Sequence, residues 1–303
     1  MTRTKNLLII SGGVGVIFKI NSKLLYKLQT FNFLFSYIPD ANVSNIDNLT
    51  KRTDLPIVSI IEKYTFTSEI KMVNNCPQSI LVNMKLINLY DLVTLIEHVL
   101  EYFRQTKEVY CLHGAAVSYN EKGVWFMGSI SGLGKTTMAL NLCLKKKFSF
   151  VGDEKILLSS NLKLIGGVKR VVYNKKMLSQ SINVNLNGLV EKELEKLVTI
   201  EKNAVQLCLG VLPVVIPGVR NPEIEKWDSN KTNFHVYEEM SRKIRGTSRR
   251  VSNFEVPIDS VDNLALALKR SAISKLISTK VPFVLIKGTE AQIYKIISGY
   301  LET

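Results

Sequence analysis

Apolar and polar residues follow two different rhythms along the chain. Up to about residue 105, short apolar runs alternate with segments rich in Asn, Asp and Thr. Residues 7–18 predict a strand with a glycine-containing turn, and residues 56–61 and 79–84 predict two further strands. Residues 90–103 carry Leu92, Leu95, Ile96, Val99, Leu100 and Phe103 on one face of a 3.6-residue period, which predicts a helix. Beyond it, strands and helices alternate. Residues 109–119 and 124–127 predict two strands joined by a turn at Asn120-Glu121-Lys122-Gly123, and residues 135–144 a helix. Residues 148–151 predict a strand ending at Gly152-Asp153-Glu154, and residues 204–216 a buried strand. Residues 264–277 predict a helix and 282–286 a strand. Thr289 opens the last helix, with Gln292 as its capping-box partner.

This order predicts an α/β fold. A P-loop-type sheet with helices is expected over residues 106–303, preceded by a smaller α+β region over residues 1–105. At 303 residues, with 46% hydrophobic and 22% charged, the composition is globular and allows a sizeable buried core. The net charge of +14 favours anionic partners such as nucleotides, nucleic acid, acidic peptides or acidic membrane surfaces. A lysine-rich surface that only confers solubility gives the same number. Cys76, Cys111, Cys143 and Cys208 form no C-x-x-C pair, and His98, His113 and His235 give no ligand spacing beside them, which argues against structural zinc. Scattered cysteines suggest buried free thiols in a reducing compartment. The apolar run at 7–18 is too short to span a bilayer, is broken by Gly12, Gly13 and Gly15, and lacks a small-residue cleavage site. A soluble, cytoplasmic protein is expected.

The strand at Trp125-Phe126-Met127 runs into Gly128-Ser129-Ile130-Ser131-Gly132-Leu133-Gly134-Lys135-Thr136-Thr137, which opens a helix. Strand, glycine loop and helix are the context a P-loop requires. Its backbone N–H groups turn inward around phosphate oxygens, and the helix N-terminus adds its positive dipole end. Ser129, Ser131, Gly132, Leu133, Gly134, Lys135, Thr136 and Thr137 are therefore the candidate nucleotide-binding residues. Lys135 would reach the β- and γ-phosphates, and the Thr136 hydroxyl would hold Mg²⁺. Ser129 occupies the first glycine position of G-x-x-x-x-G-K-[ST], and Gly128 stands one residue early. Either the loop shifts so that Gly128 does the work, or the backbone accommodates Ser129. A plain glycine turn before a helix leaves Lys135 unexplained, because a cation in the first turn opposes the helix dipole.

Asp153-Glu154 follows a predicted strand, 18 residues beyond Lys135. Acidic residues at the rim shared by parallel strands can hold Mg²⁺ or accept a proton from an attacking hydroxyl. Without the P-loop, a solvated turn would be the better reading. His113, in Leu112-His113-Gly114-Ala115-Ala116-Val117, is by itself as well explained as a satisfied core residue.

Together, His113-Gly114, the loop from Ser131 to Thr136 and Asp153-Glu154 resemble the catalytic domain of HPr kinase/phosphorylase. That family is grouped with the ATP-dependent phosphoenolpyruvate carboxykinases, apart from the common P-loop proteins. The resemblance covers residues 109–290. It departs from the family at Glu154, where a second Asp is usual, and in a spacing from Lys135 about one residue longer. A weaker similarity joins Trp227-Asp228 and Val256-Pro257-Ile258-Asp259-Ser260-Val261-Asp262-Asn263 to a family segment ending Pro-Val-x-x-Gly-Arg-Asn. Val261 and Asp262 replace its Gly and Arg. The family's second conserved loop, which supports the phosphorylase reaction, has no counterpart.

The resemblance implies an ATP-dependent, Mg²⁺-assisted kinase acting on a serine of a protein or peptide. Relatives with the same His-Gly-Ala-Ala-Val and P-loop pattern occur beside peptide-modifying enzymes. Asp153 would be the catalytic base or metal-linked carboxylate, Glu154 a metal ligand, Lys135 the phosphate-neutralising cation, and His113 a polar catalytic group. Asp153, Glu154 and Thr136 form the candidate metal set. A small-molecule phosphotransferase and a non-catalytic nucleotide-binding regulator are the alternatives. Arg242, Lys243, Arg245, Arg249 and Arg250 form a basic segment, read either as a phosphate clamp or as solvated surface. No aromatics interleave with them, which argues against nucleic acid. Homo-oligomerisation stays open.

Overall fold

Two strands joined by a two-residue turn at Gly12-Gly13 begin the fold: β1 (Thr4–Ser11) and β2 (Val14–Asn21), paired antiparallel with Ser11 opposite Val14. The structure, a computed structural model, describes residues 4–21, 37–46, 54–62, 69–73, 79–84, 89–128, 130, 132–174, 189–245 and 258–302. The fold is mixed α/β. The chain divides into two compact units, Met1–Tyr110 with Met240–Arg270, and Cys111–Glu239 with Ser271–Thr303. The sequence rhythm suggests one boundary near residue 105. The units are instead discontinuous, and Met240–Arg270 groups with the N-terminal part.

The first unit holds a six-stranded sheet ordered β3-β1-β2-β4-β6-β5, with β3 at Ala41–Asn45, β4 at Ile57–Glu62, β5 at Glu69–Val73 and β6 at Ser79–Met84. β2, β4 and β6 run parallel, and the other pairings are antiparallel. Helix α1 (Leu89–Thr106) carries the apolar stripe expected of it: Leu92, Leu95, Ile96, Val99, Leu100 and Phe103 are all buried. Its far end also buries charge. Arg104, fully buried, pairs with Glu97, lies 2.8 Å from Glu101, and donates to the Ser11 hydroxyl at 2.9 Å. Gln105 donates to the Met240 carbonyl at 2.9 Å and accepts from Arg270 at 2.7 Å, while Arg270 also pairs with Asp262 at 2.6 Å. These contacts explain why Met240–Arg270 belongs to this unit.

The second unit is built on β7 (Val109–His113, of which the last three residues belong here), β8 (Ala115–Tyr119), β9 (Lys122–Phe126), β10 (Ser149–Ser159), β11 (Lys163–Val168), β14 (Val205–Val215), β15 (Glu223–Lys226) and β16 (Phe283–Gly288). Strands β11, β10, β8, β9 and β14 pair in succession, and β14 pairs back to β11 at Lys163–Gln206 and Leu164–Val205, closing a five-stranded barrel. β14 then continues alongside β16, to which it is parallel, as it is to β9. β15 covers the far edge of β16, and β12 (Arg170–Asn174) and β13 (Leu189–Glu193) make a separate two-stranded ladder. Helices α2 (Lys135–Lys146) and α5 (Glu290–Glu302) close the core, where Met138, Phe126, Phe150, Leu209, Val211, Ile286, Ile293 and Ile297 pack together. The remaining helices are α3 (Ser229–Ser241) and α4 (Leu264–Lys280). Thr289 and Gln292 form the expected reciprocal cap: Thr289 N–H donates to Gln292 Oε1 at 2.8 Å, and Gln292 N–H to Thr289 Oγ1 at 3.3 Å.

Two expected strands change shape. Residues 109–119 form β7 and β8, separated at Gly114. Gly114 has φ 141°, and a Cβ there would lie 2.1 Å from the Phe126 carbonyl oxygen, so only glycine fits. The strand expected to end at Gly152 instead runs to Ser159, through a bulge between Asp153 and Ile156. Among the described residues no helix is long and apolar enough to cross a membrane.

Candidate functional site

The loop between β9 and α2 is shaped by glycines and supported by β14. Gly128 and Gly134 have φ of 131° and 100°. A Cβ on Gly128 would lie 2.6 Å from Leu212 Cδ1, and one on Gly134 would lie 2.5 Å from Val215 Cγ2. Both positions therefore need glycine for the backbone angle and for the approach to β14. Backbone bonds fix the register: Met127 N–H donates to the Val211 carbonyl at 2.8 Å, and Val215 N–H to the Leu133 carbonyl at 3.2 Å. The residue that takes the special angle at the start of the loop is Gly128, one position before the motif's first glycine place. Ser129 and Ser131 lie outside the described residues. Gly132, exposed, has φ 86°, and Ile130 is 66% exposed.

Gly134 caps α2 without a side-chain hydrogen bond, and no acid stands in the first turn. The N-cap residue thus puts no side-chain oxygen over the first amide N–H groups of the helix, an arrangement that leaves room for an anion. Lys135 is half-buried and its ammonium donates to the Ile130 carbonyl at 2.8 Å, inside the loop. Thr137 is half-buried in the same turn.

The Thr136 hydroxyl lies 3.0 Å from each carboxylate oxygen of Asp153. The two residues the sequence placed on a loop and a strand end are thus brought together, although Asp153 lies within β10 and not at its end. Asp153 is only 4% exposed. Burial pushes its pKa up from 3.8 to about 7, with the nearby Glu154 charge adding to the rise. The Thr136 hydrogen bond, the Glu154 backbone N–H and the Lys135 charge oppose it.

Glu154 occupies the bulge with φ 60°, and its side chain is exposed. Its carbonyl accepts from Gly114 N–H at 3.4 Å and lies 3.0 Å from His113 Nδ1. A carbonyl can only accept, so His113 donates from Nδ1. The His113 carbonyl accepts from Trp125 Nε1 at 3.2 Å, tying β7 to β9. His113 and Gly114 thus hold the bulge from which Asp153 and Glu154 project. The sequence does not point to this role, because the bulge has no residue pattern of its own.

A carboxylate beside a hydroxyl at a helix N-terminus, with an ammonium on the preceding residue, offers oxygen ligands to a hard divalent cation and positive charge to phosphate. Of the expected metal set, Thr136 and Asp153 touch each other and would supply two of the ligands, while the Glu154 side chain is exposed. Asp262 and Asn263 have local partners in the first unit. Asp262 pairs with Arg270 at 2.6 Å, and Asn263 Oδ1 accepts Leu266 N–H at 3.0 Å, capping α4. In the basic segment, the Lys243 carbonyl lies 2.7 Å from Nδ1 of the buried His98, and Arg242 and Arg245 are described, while Arg249 and Arg250 lie outside the described residues. Cys111 and Cys143 are buried free thiols and Cys208 is half-buried, also free; Cys76 lies outside the described residues. A scan against protein-family models and a search of curated proteins both find no match to this chain.

Proposed function

We propose that this chain is an ATP-dependent, Mg²⁺-assisted kinase that transfers phosphate to a serine hydroxyl of a protein or peptide. The observation that carries the reading is the contact of the Thr136 hydroxyl with both oxygens of a buried Asp153, at the mouth of a glycine loop followed by Lys135. Thr136 and Asp153 would hold Mg²⁺, which would offset the negative charge of the phosphate groups. Lys135 exchanges a neutral carbonyl partner, Ile130, for a phosphate oxygen, and a bond to an ionised acceptor is the stronger of the two. The first N–H groups of α2, behind a glycine cap, would add to the cradle. Without the cation burial raises the Asp153 pKa to about 7, and a bound Mg²⁺ would hold the same carboxylate ionised, so proton acceptance and cation binding are alternative roles for it. His113 keeps the bulge in place through the Glu154 carbonyl, so Asp153 stays aimed at Thr136.

The test is incubation with γ-labelled ATP and Mg²⁺ over a panel of serine peptides, their alanine counterparts and small hydroxy metabolites, using the parent, Lys135→Ala and Asp153→Asn. Label is expected on serine peptides only, and in the parent only. Label on metabolites alone would favour the small-molecule phosphotransferase. ATP binding without turnover on any acceptor would favour the regulator. If Lys135→Ala binds ATP as tightly as the parent does, the site assignment fails.

A further inference from the structure

The strands β9 and β14 that support the phosphate loop at one end open into a cavity at the other. It has a volume of about 460 Å³ and is lined by Lys122, Gln206, Cys208, Lys280, Pro282 and Tyr300, among others. Lys122 is the first residue of β9, Gln206 to Cys208 lie in the opening turn of β14, and Lys280 ends α4. Among the described residues, two lysines line this space and no carboxylate does. Lys122 donates to the Leu301 carbonyl at 2.6 Å, a neutral partner that leaves its charge uncompensated. Lys280 is exposed and has neither a hydrogen bond nor an ion pair among the described residues. The rest of the wall is largely apolar, through Leu162, Leu207, Val281 and Pro282. This basic lining has no counter-charge among the described residues. A ligand with an anionic head and an apolar body matches both the lysines and the apolar wall.

We infer that this cavity is a binding site for a small organic anion, a carboxylate or phosphate monoester with a compact apolar body. It lies at the opposite end of β9 and β14 from the phosphate loop, so its ligand does not compete for Lys135 or Thr136. The inference does not depend on the kinase reading.

Cys208 supplies the readout, since its half-buried thiol lines the cavity. The rate of Cys208 alkylation by neutral iodoacetamide, read by peptide mass spectrometry, is measured with benzoate, phenyl phosphate or neutral benzyl alcohol present. For an affinity of about 1 mM, about 10 mM of either anion slows alkylation about tenfold. Benzoate and phenyl phosphate distinguish a carboxylate site from a phosphate site. Protection is expected to persist in Lys135→Ala and to be largely lost in Lys280→Met, whose exposed position makes it compatible with folding; matching thermal melts check this. Protection by neither anion, equal protection by benzyl alcohol, or undiminished protection in a folded Lys280→Met would overturn the inference.

Discussion

Asp153→Asn keeps the size of the side chain and its place beside Thr136 but removes its ability to ionise. In the folded protein burial raises the Asp153 pKa from 3.8 to about 7. The unfolded chain loses the proton near its ordinary value while the folded chain retains it. The stabilising contribution is therefore complete below about pH 4, declines as pH rises, and is lost once pH passes about 7. The shift is about three units. At about 1.36 kcal/mol per unit, the folded parent carries about 4 kcal/mol of buried-charge cost above pH 7 that the asparagine variant lacks. At about 2–4 °C per kcal/mol, the variant should melt about 8–16 °C higher than the parent at pH 8, and close to the parent at pH 4. Thermal melts of both proteins at pH 4, 5, 6, 7 and 8 measure the gap. A gap that stays constant over that range would refute the reasoning, because a packing effect does not titrate. The same substitution is expected to abolish phosphate transfer, so stability and activity should move in opposite directions.

Gly134→Ala places a Cβ 2.5 Å from Val215 Cγ2 on a residue with φ 100°, and is expected to reduce ATP affinity at least tenfold, about 1.4 kcal/mol, in equilibrium dialysis. Arg104→Leu leaves Glu97 and Glu101 buried without their cation, and should cost about 3–5 kcal/mol of stability in urea denaturation, with nucleotide affinity unchanged. Thr289→Ala removes one half of the α5 cap and should cost about 1 kcal/mol, a fall of about 2–4 °C in Tm.

Where local chemistry decides the structure, the sequence was sufficient. The stripe on α1, the strand–loop–helix around Gly132 and the Thr289–Gln292 cap are each written within a dozen residues, and each is found in its place. Where tertiary contacts decide, it was not. Nothing in the pattern of residues 240–270 shows that Gln105 and Arg270 tie that stretch to the first unit. Helix α3 was missed because Ser229–Ser241 has a polar first turn and only a weak apolar face. The continuation of β10 past Asp153 was hidden by a bulge whose Gly-Asp-Glu sequence reads as a turn. In the site, the pairing of Thr136 with Asp153 was accessible from motif spacing, but the elevated pKa of Asp153 comes from burial that only the packed fold creates.

β14 has a mechanical consequence. Its 11 residues extend over about 35 Å, with Gln206 to Cys208 at the cavity and Val215 bonded to the Leu133 carbonyl of the loop. β11 pairs with it at residues 205–206, β9 at 206–211 and β16 at 210–215, so the three ladders overlap end to end along the strand. Its ladder with β9 slips once, between Leu207 and Leu209. The strand is thus a stiff rod with a single joint, placed next to the cavity. A displacement of Cys208 is either taken up at that joint or delivered along the rod to Val215, and through it to the backbone just before Lys135.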